Sequence, residues 1–251
     1  MRTILTYLAL AVCTSVFGSL VIVATALGIP VRPNGFMERI PSIYCRVVLR
    51  AAGVRLRIHN ADRASGGAHI YISNHMSWFD VFSLASFLPR YRFIAKKELQ
   101  RIPIFGPAVS KIAGIYIDRG NRKAAFDAYT DAAERVRTGL SVVVFPEGTR
   151  GRTYELRPFK KGPFVLALAA QVPIVPVILH GTREVQGKGA VRVTPGEVEV
   201  SLLEPIPTAG LTYEDRDALM RIVWERMAAE MQTRYGVRSG DFAIDTRSGA
   251  A

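Results

Sequence analysis

The amino-terminal segment contains a long uncharged run that constrains how the whole chain can fold. From Thr3 to Val31 no residue carries a charge, and most residues are apolar. About 26 helical residues reach roughly 39 Å, which is enough to cross the hydrocarbon core of a bilayer. A buried core helix of that length, apolar on every side, is unusual in a chain of 251 residues. We therefore predict that this segment lies in a membrane, either as a full span or as an insertion that returns to the same side.

A cleaved signal peptide is the main alternative for this segment. Ala24 and Ala26 are small residues at a plausible cleavage spacing, but only Arg2 precedes the run, which is long for a signal core. Four arginines follow the run, namely Arg32, Arg39, Arg46 and Arg50. By the positive-inside tendency they place the bulk of the chain on the cytoplasmic side, at the inner membrane if the protein is bacterial. Residues 38–52 mix three of these arginines with apolar residues, a pattern typical of an interfacial helix.

The rest of the chain alternates short apolar runs with longer mixed stretches. The runs predict strands at residues 55–59, 69–73, 93–95, 115–118, 142–145, 174–179 and 197–203. Helical patterns cover residues 80–87, 104–113, 123–138, 164–170 and 213–235, with Thr212 and Asp215 as a capping pair. This alternation predicts an α/β fold in which helices flank a largely buried mixed sheet. We expect a membrane-associated helical segment over residues 1–53, an α/β domain over 54–237 and a disordered tail over 238–251.

The charge balance narrows the choice of partners. A formal net charge of +12 indicates an anionic partner, such as nucleic acid, an anionic membrane face or a phosphorylated substrate. Nucleic-acid binding leaves the membrane segment unexplained, so we expect no nucleic-acid partner. Metal chemistry is poorly supported, because Cys13 and Cys45 have no metal-binding spacing and no H-E-x-x-H motif is present. The chain also lacks a Walker loop and a Rossmann glycine fingerprint.

The stretch Asn74-His75-Met76-Ser77-Trp78-Phe79-Asp80 has a spacing that suits neither regular element. Positions five apart differ by roughly 140° on a helix, and they face opposite sides of a strand. His75 and Asp80 can meet only across a turn, between a strand ending near Asn74 and a helix beginning near Asp80. A carboxylate on one imidazole nitrogen leaves the other free to take a proton from a hydroxyl. From the spacing alone, a helix-capping Asp beside an ordinary loop His is equally consistent.

Arginines follow two further predicted strands. The sequence FPEGTRGR, residues 145–152, offers Gly148 for close backbone approach and Arg150 for bidentate phosphate binding. Glu147 has the chemistry either to pair with an arginine or to hold an acceptor hydroxyl. The sequence GIYIDRGNR, residues 114–122, ends its strand in Asp118-Arg119. Ligands bind at the carboxyl ends of strands in open α/β sheets, although each segment alone also fits an ordinary turn.

Taken together and in order, these segments resemble the glycerolipid acyltransferase family, in particular the 1-acyl-sn-glycerol-3-phosphate acyltransferases. The family's N-H-x4-D block matches Asn74 to Asp80, although Met76 stands where the family often has Gln. The other three blocks match Gly114–Arg119, Phe145–Arg150 and Ile174–Val177. The A-K-x-E-L stretch matches Ala95–Leu99, and the similarity covers roughly residues 35–207. The resemblance implies a fold like that of glycerol-3-phosphate acyltransferase.

The resemblance also implies a reaction and a set of site residues. His75 would be the general base on the free hydroxyl of lysophosphatidic acid, and Asp80 would orient it. The residues implied to bind the glycerol-phosphate head are Lys96, Arg119, Glu147, Gly148, Thr149 and Arg150. The acyl donor would be acyl-CoA or acyl-carrier protein, with no further cofactor and no metal, and the product would be phosphatidic acid. Three alternatives remain: acylation of another lyso-lipid such as lyso-ornithine lipid, a hydrolase that uses water, and a non-catalytic basic protein that binds membranes.

Overall fold

Strands from most of the chain form one sheet. The structure, a computed structural model, describes residues 1–32, 35–112, 114–117 and 122–245. The strands are β1 Val54–His59, β2 Ile70–Ser73, β3 Tyr91–Lys96, β4 Gly114–Ile117, β5 Ser141–Val144, β6 Ile174–His180 and β7 Gly196–Leu202. They pair in the order β1-β7-β6-β2-β5-β3-β4. Every predicted strand is therefore confirmed, with bounds that differ by a residue or two.

The strand directions place several strand ends together. The strands β2, β3, β4, β5 and β6 are mutually parallel. The strand β7 is antiparallel to β6 and parallel to β1, so the sheet is mixed, as predicted. Because the five parallel strands share one carboxyl edge, the segments that follow them lie close to one another. The central strands β2 and β5 are buried along their whole length, which explains their continuous apolar runs.

Helices cover both faces of this sheet. They are α1 Arg2–Ala26, α2 Phe36–Ala52, α3 Trp78–Ala85, α4 Phe105–Ile112, α5 Arg122–Arg137, α6 Gly162–Ala170, α7 Thr182–Gln186 and α8 Arg216–Tyr235. A single π-helical turn at Thr14–Gly18 interrupts α1. The sequence did not predict α7, because five residues are too few to show a helical period. The predicted pair Thr212 and Asp215 is present, with the Thr212 amide donating to Asp215 Oδ2 at 2.7 Å, but it caps the 3₁₀ turn Tyr213–Asp215 that leads into α8.

The amino-terminal helix α1 packs along one side only. Its Val21 and Ala24 are buried against Ile40 of α2 and Ala108 of α4. Elsewhere the helix leaves large apolar side chains exposed, among them Ile4, Leu8, Val12, Val16 and Val23. The helix has 25 residues, and only 22% of its most apolar window is buried. By length and composition α1 is therefore a candidate membrane element, and it is far less buried than the core helix of a soluble domain would be.

The segment that follows α8 differs from the expected disordered tail. Ile244 forms a β-bridge with Phe159, and the Phe159 carbonyl accepts the Asp245 amide at 2.9 Å. The Phe242 ring packs edge-on against Trp224 of α8, with 6.0 Å between the ring centroids. Two apolar anchors in a polar stretch thus hold residues 238–245 on the domain, a pairing that composition does not reveal. Residues 246–251 lie outside the described residues.

Gly181 directly follows β6, and its replacement tests whether the close approach of β7 requires glycine at this position. Its φ is +90°, and a β-carbon there would overlap the carbonyl oxygen of Glu197. We expect Gly181→Ala to lower the free energy of unfolding by about 3 kcal/mol, from backbone strain and displacement of β7. The control is Gly210→Ala, with φ +80° and open space around the added carbon. It should cost about 1 kcal/mol, from strain alone. Denaturant unfolding in one detergent compares the two, and equal losses would contradict the overlap.

Candidate active site

The first sequence block forms a tight turn at the carboxyl edge of the sheet. The strand β2 ends at Ser73, and α3 begins at Trp78. Asn74 is buried, and its side-chain amide both donates to the Leu179 carbonyl and accepts the Leu179 amide, each at 2.8 Å. The Asn74 side chain therefore continues the pairing of β2 with β6 at the point where the backbone leaves the sheet. This contact fixes where the turn starts and presents His75 at the edge.

One carboxylate oxygen organises the turn. Asp80 Oδ2 accepts the backbone N–H groups of Met76 at 2.6 Å and Ser77 at 2.7 Å, and it lies 2.7 Å from His75 Nδ1. Ser77 is the N-cap of α3, and it forms a reciprocal capping box with Asp80. The Asp80 side chain is fully buried. The two interpretations that the spacing left open, a helix cap and a histidine partner, are therefore satisfied by the same oxygen.

Two contacts fix the orientation of the His75 imidazole ring, one with Asp80 and one with Phe145. Because an ionised carboxylate only accepts hydrogen bonds, Nδ1 carries the hydrogen and Nε2 keeps its lone pair. The ring stacks on Phe145 with 3.9 Å between centroids and an interplanar angle of 14°, and Phe145 in turn stacks on Phe93. His75 lines a cavity, and Nε2 has no hydrogen-bond partner among the described residues. Chemically, this arrangement can take a proton from a hydroxyl group placed at Nε2.

The loop after β5 lies beside this turn. Gly148 has a φ of +74°, a conformation that favours glycine, and a β-carbon there would lie 2.6 Å from Cε at the end of the flexible Lys160 side chain. Gly148, Thr149 and Arg150 line the same cavity as His75. The Arg150 guanidinium lies 5.4 Å from the centroid of the Trp78 ring. The third sequence block is therefore placed next to the first, as its position at a strand end predicted.

Glu147 lies behind the turn at His75 rather than on the cavity wall. Its Oε1 accepts the backbone N–H of His75 at 3.2 Å, and its side chain is 1% exposed. We expected Glu147 to contact the acceptor. In the structure its carboxyl group instead faces the protein interior, away from the cavity. Burial raises the pKa of Glu147 to about 8, although the nearby Arg157 and the His75 amide lower it. The geometry makes Glu147 a positioning residue for the backbone of His75.

Arg157 is a functional neighbour that the sequence did not single out. Its Nε lies 3.7 Å from Glu147 Oε2, beyond hydrogen-bond distance, and its charge lowers the pKa of Glu147 against the larger effect of burial. Its two terminal nitrogens donate to the backbone carbonyls of Glu147, Thr149 and Arg150 at 3.5, 3.5 and 3.2 Å. One guanidinium thus holds three carbonyls of the loop from behind. In the sequence Arg157 is one of several cations between residues 150 and 161, and nothing in its spacing indicates these contacts.

The remaining predicted site residues divide into two groups. Lys96 ends β3, is exposed and lines the cavity. Arg119, together with Asp118, lies outside the described residues, so its predicted role stays a prediction. The structure therefore brings His75, Lys96 and Arg150 to a common edge, with Asp80 and Glu147 supporting His75 from within.

A cavity of about 1020 Å³ extends from His75 to the amino-terminal helix. Side chains from α1, α2, α3 and α4 form its walls, among them Leu10, Phe17, Tyr44, Phe82 and Phe105. Its volume is at the upper end of the range for ligand cavities, and its walls are predominantly apolar. The cavity therefore joins the histidine to the candidate membrane element through a space suited to an alkyl chain.

The fold and the site together define an α/β protein in which a carboxylate-bound histidine at the strand ends opens onto an apolar cavity. The sequence model of the Acyltransferase family matches residues 55–180. The chain belongs to this family.

Curated relatives carry more specific names. A putative 1-acyl-sn-glycerol-3-phosphate acyltransferase of Caenorhabditis elegans is 34% identical over 75% of this chain and 71% of its own length. The 1-acyl-sn-glycerol-3-phosphate acyltransferase of Limnanthes douglasii is 37% identical over 70% and 63%. The human alpha enzyme of the same name is 36% identical over 66% and 60%. The match therefore spans less than two thirds of the length of the plant and human relatives.

A solved structure shares the fold. The crystal structure of the 1-acyl-sn-glycerophosphate acyltransferase of Thermotoga maritima superposes with a TM-score of 0.75. The superposition covers 93% of this chain and 96% of that one, at 24% sequence identity. The likeness extends well beyond the matched family region.

The buried carboxyl of Glu147 predicts a pH-dependent stability difference. Its folded pKa of about 8 lies above the ordinary 4.5, so ionisation opposes folding, increasingly as pH rises between these values. Glu147→Gln keeps an acceptor for the His75 amide and removes this cost. We expect the variant to gain stability relative to the unaltered protein by up to about 1.4 kcal/mol per pH unit between about pH 5 and about pH 8.

Urea unfolding at three pH values across that window measures the difference. The control is Glu155→Gln, which removes an exposed carboxylate from the same loop. Its stability difference from the unaltered protein should stay nearly constant with pH. A constant difference for Glu147→Gln as well would contradict the ionisation cost.

Proposed function

We propose that this chain transfers an acyl group from a thioester to the sn-2 hydroxyl of 1-acyl-sn-glycerol 3-phosphate, giving phosphatidic acid. The observation that carries the proposal is the His75–Asp80 pair, because His75 is held through Nδ1 and lines an apolar cavity at the sheet edge. The names of the relatives support the substrate class. The donor is acyl-CoA or acyl-carrier protein, which acts as a co-substrate.

In this reaction His75 is the general base and then the general acid. Nε2 removes the proton from the acceptor hydroxyl as its oxygen attacks the thioester carbonyl, and Asp80 stabilises the imidazolium that forms. The tetrahedral intermediate collapses, the carbon–sulfur bond breaks, and the departing sulfur takes the proton from Nε2. A thiol leaves more readily than an alcohol, so no covalent enzyme intermediate is needed.

The phosphate of the acceptor binds on the cationic side of the cavity. Arg150 has the planar guanidinium suited to bidentate phosphate contacts, and Lys96 lies on the same cavity wall. Arg119 is proposed as a third cation, from the family resemblance alone. An acceptor without phosphate, such as lyso-ornithine lipid, would depend less on these residues, and this difference separates the two acceptor classes.

The helix α1 would bring this site to the bilayer. Its exposed apolar side matches the membrane interior, and the arginines that follow it favour an anionic leaflet by about 1 kcal/mol each when well placed. We propose that the protein is membrane-bound with its α/β domain on the cytoplasmic face, at the inner membrane if it is bacterial. The cavity then receives lipid acceptors without their leaving the membrane.

Replacement of the proposed base tests the reaction. We expect His75→Ala to reduce acyl transfer to lysophosphatidic acid by at least about a hundredfold, because the base is lost. Membrane binding should be retained, since α1 is unchanged. The matched control is His59→Ala at the end of β1, which should stay near full activity. Full activity of the His75→Ala variant would contradict the proposed mechanism.

The assay follows thiol release with and without lysophosphatidic acid, with both donors and with a panel of lyso-lipids. Release that does not require an acceptor would identify a hydrolase instead. No release with any acceptor or donor, together with retained membrane binding, would favour a non-catalytic membrane-binding protein. If only phosphate-free acceptors are acylated, the acceptor is a different lyso-lipid and the proposed substrate class is wrong.

The phosphate role makes a separate prediction. We expect Arg150→Ala to raise the KM for lysophosphatidic acid by about tenfold or more, because a charge-assisted contact is lost, while the KM for the thioester changes little. Arg152→Ala is the control, because Arg152 is exposed, lies two residues further on and does not line the cavity. Equal losses for both substrates in Arg150→Ala would contradict a phosphate role.

A further inference from the structure

We propose that Trp78 is a specificity-determining residue: its indole face holds the Arg150 guanidinium at the cavity wall, ready for the phosphate of the acceptor. This inference rests on the proposed function, because it assigns a phosphate-bearing acceptor to the site.

The position of Trp78 is set by the catalytic turn. It is the first residue of α3, directly after the N-cap Ser77, so the reciprocal cap with Asp80 fixes its backbone. Its side chain is partly exposed and lines the cavity. The Arg150 Cζ lies 5.4 Å from its ring centroid, within the distance at which a guanidinium is attracted to an aromatic face.

The backbone of Arg150 is fixed independently of its side chain. The Arg150 carbonyl accepts a hydrogen bond from Arg157 at 3.2 Å, and the next residue, Gly151, donates its amide to the His75 carbonyl at 2.7 Å. With the backbone held on both sides, the freedom that remains to Arg150 is that of its long side chain. Trp78 is the contact that restricts it.

The charge of Arg150 is not neutralised within the described part of the chain. There, no carboxylate lies within ion-pair distance of it, whereas the neighbouring Arg157 is paired with Glu147. An aromatic face orients a cation without cancelling its charge, so Arg150 keeps its attraction for an anion. Ordering a long arginine side chain costs conformational free energy on binding, and prior restriction lowers that cost.

This arrangement also couples the phosphate site to the base. Trp78 and His75 belong to one turn, so the indole sets the place of the phosphate-binding cation relative to Nε2. An acceptor whose phosphate meets Arg150 then has its free hydroxyl at a defined distance from the base. The effect of Trp78 should accordingly be confined to acceptors that carry a phosphate.

The test is a double-mutant cycle between Trp78 and Arg150. Trp78→Leu and Trp78→Phe are made in the unaltered chain and in the Arg150→Ala variant, and KM and kcat are measured for lysophosphatidic acid and for phosphate-free monoacylglycerol. We expect Trp78→Leu to raise the KM for lysophosphatidic acid about threefold to tenfold, with kcat within about twofold. Trp78→Phe keeps an aromatic face and should stay within about twofold of the unaltered chain. In the Arg150→Ala background Trp78→Leu should have no further effect.

Other results would overturn the inference. An equal KM increase for monoacylglycerol would mean that Trp78 shapes the apolar cavity, and an equal effect in both backgrounds would mean that it does not act through Arg150. Calorimetric titration of the same variants with lysophosphatidic acid and monoacylglycerol measures binding without turnover. If the unaltered chain binds lysophosphatidic acid but does not acylate it, the proposed function fails, and the Kd values of the cycle still decide the role of Trp78. If lysophosphatidic acid and monoacylglycerol bind equally well, both the proposed phosphate-bearing acceptor and the role of Trp78 are contradicted.

Discussion

The site depends on one buried oxygen, Asp80 Oδ2. It accepts two backbone N–H groups of the turn and the Nδ1 hydrogen of His75, so a single acceptor shapes the turn, caps α3 and selects the histidine tautomer. A charged group is costly to bury without such compensation, and three donors provide it. The same contacts that stabilise the helix start also fix the orientation of His75, the base in the proposed reaction. The same oxygen of Asp80 therefore serves both the helix cap and the contact with His75.

A second layer of contacts ties this turn to the loop after β5. Glu147 accepts the His75 amide, Gly151 donates to the His75 carbonyl, and Phe145 stacks on the imidazole. Arg157 then anchors the loop from behind through three carbonyls. Two segments about seventy residues apart in the chain are thus joined by several contacts, because their strands are neighbours in the sheet. In the proposed reaction these contacts would fix the separation between the phosphate-binding Arg150 and the base His75.

Local sequence patterns determined the elements of this fold. Apolar runs predicted the central strands β2 and β5 because these parallel strands are buried along their whole length. The outer strand β1 instead alternates apolar and charged residues, a pattern that also predicts a strand. The Thr212–Asp215 cap and the long uncharged run of α1 were equally readable, since both depend on neighbouring residues. The short helix α7 was not predicted, because five residues are too few to show a helical period. The pairing of Ile244 with Phe159 was not predicted either, because these residues are distant in the chain.

For the site, the sequence by itself determined which residue types stand at the strand ends, and the five-residue spacing of His75 and Asp80 required a turn. Only the tertiary structure decided the directions of the side chains. Glu147 faces inward and accepts the His75 amide, and the partly exposed Arg157 turns back to donate to three carbonyls of the loop. Direction depends on which strands become neighbours and on what fills the space between them. Spacing along the chain carries no such information, because it fixes only contacts between residues close in sequence.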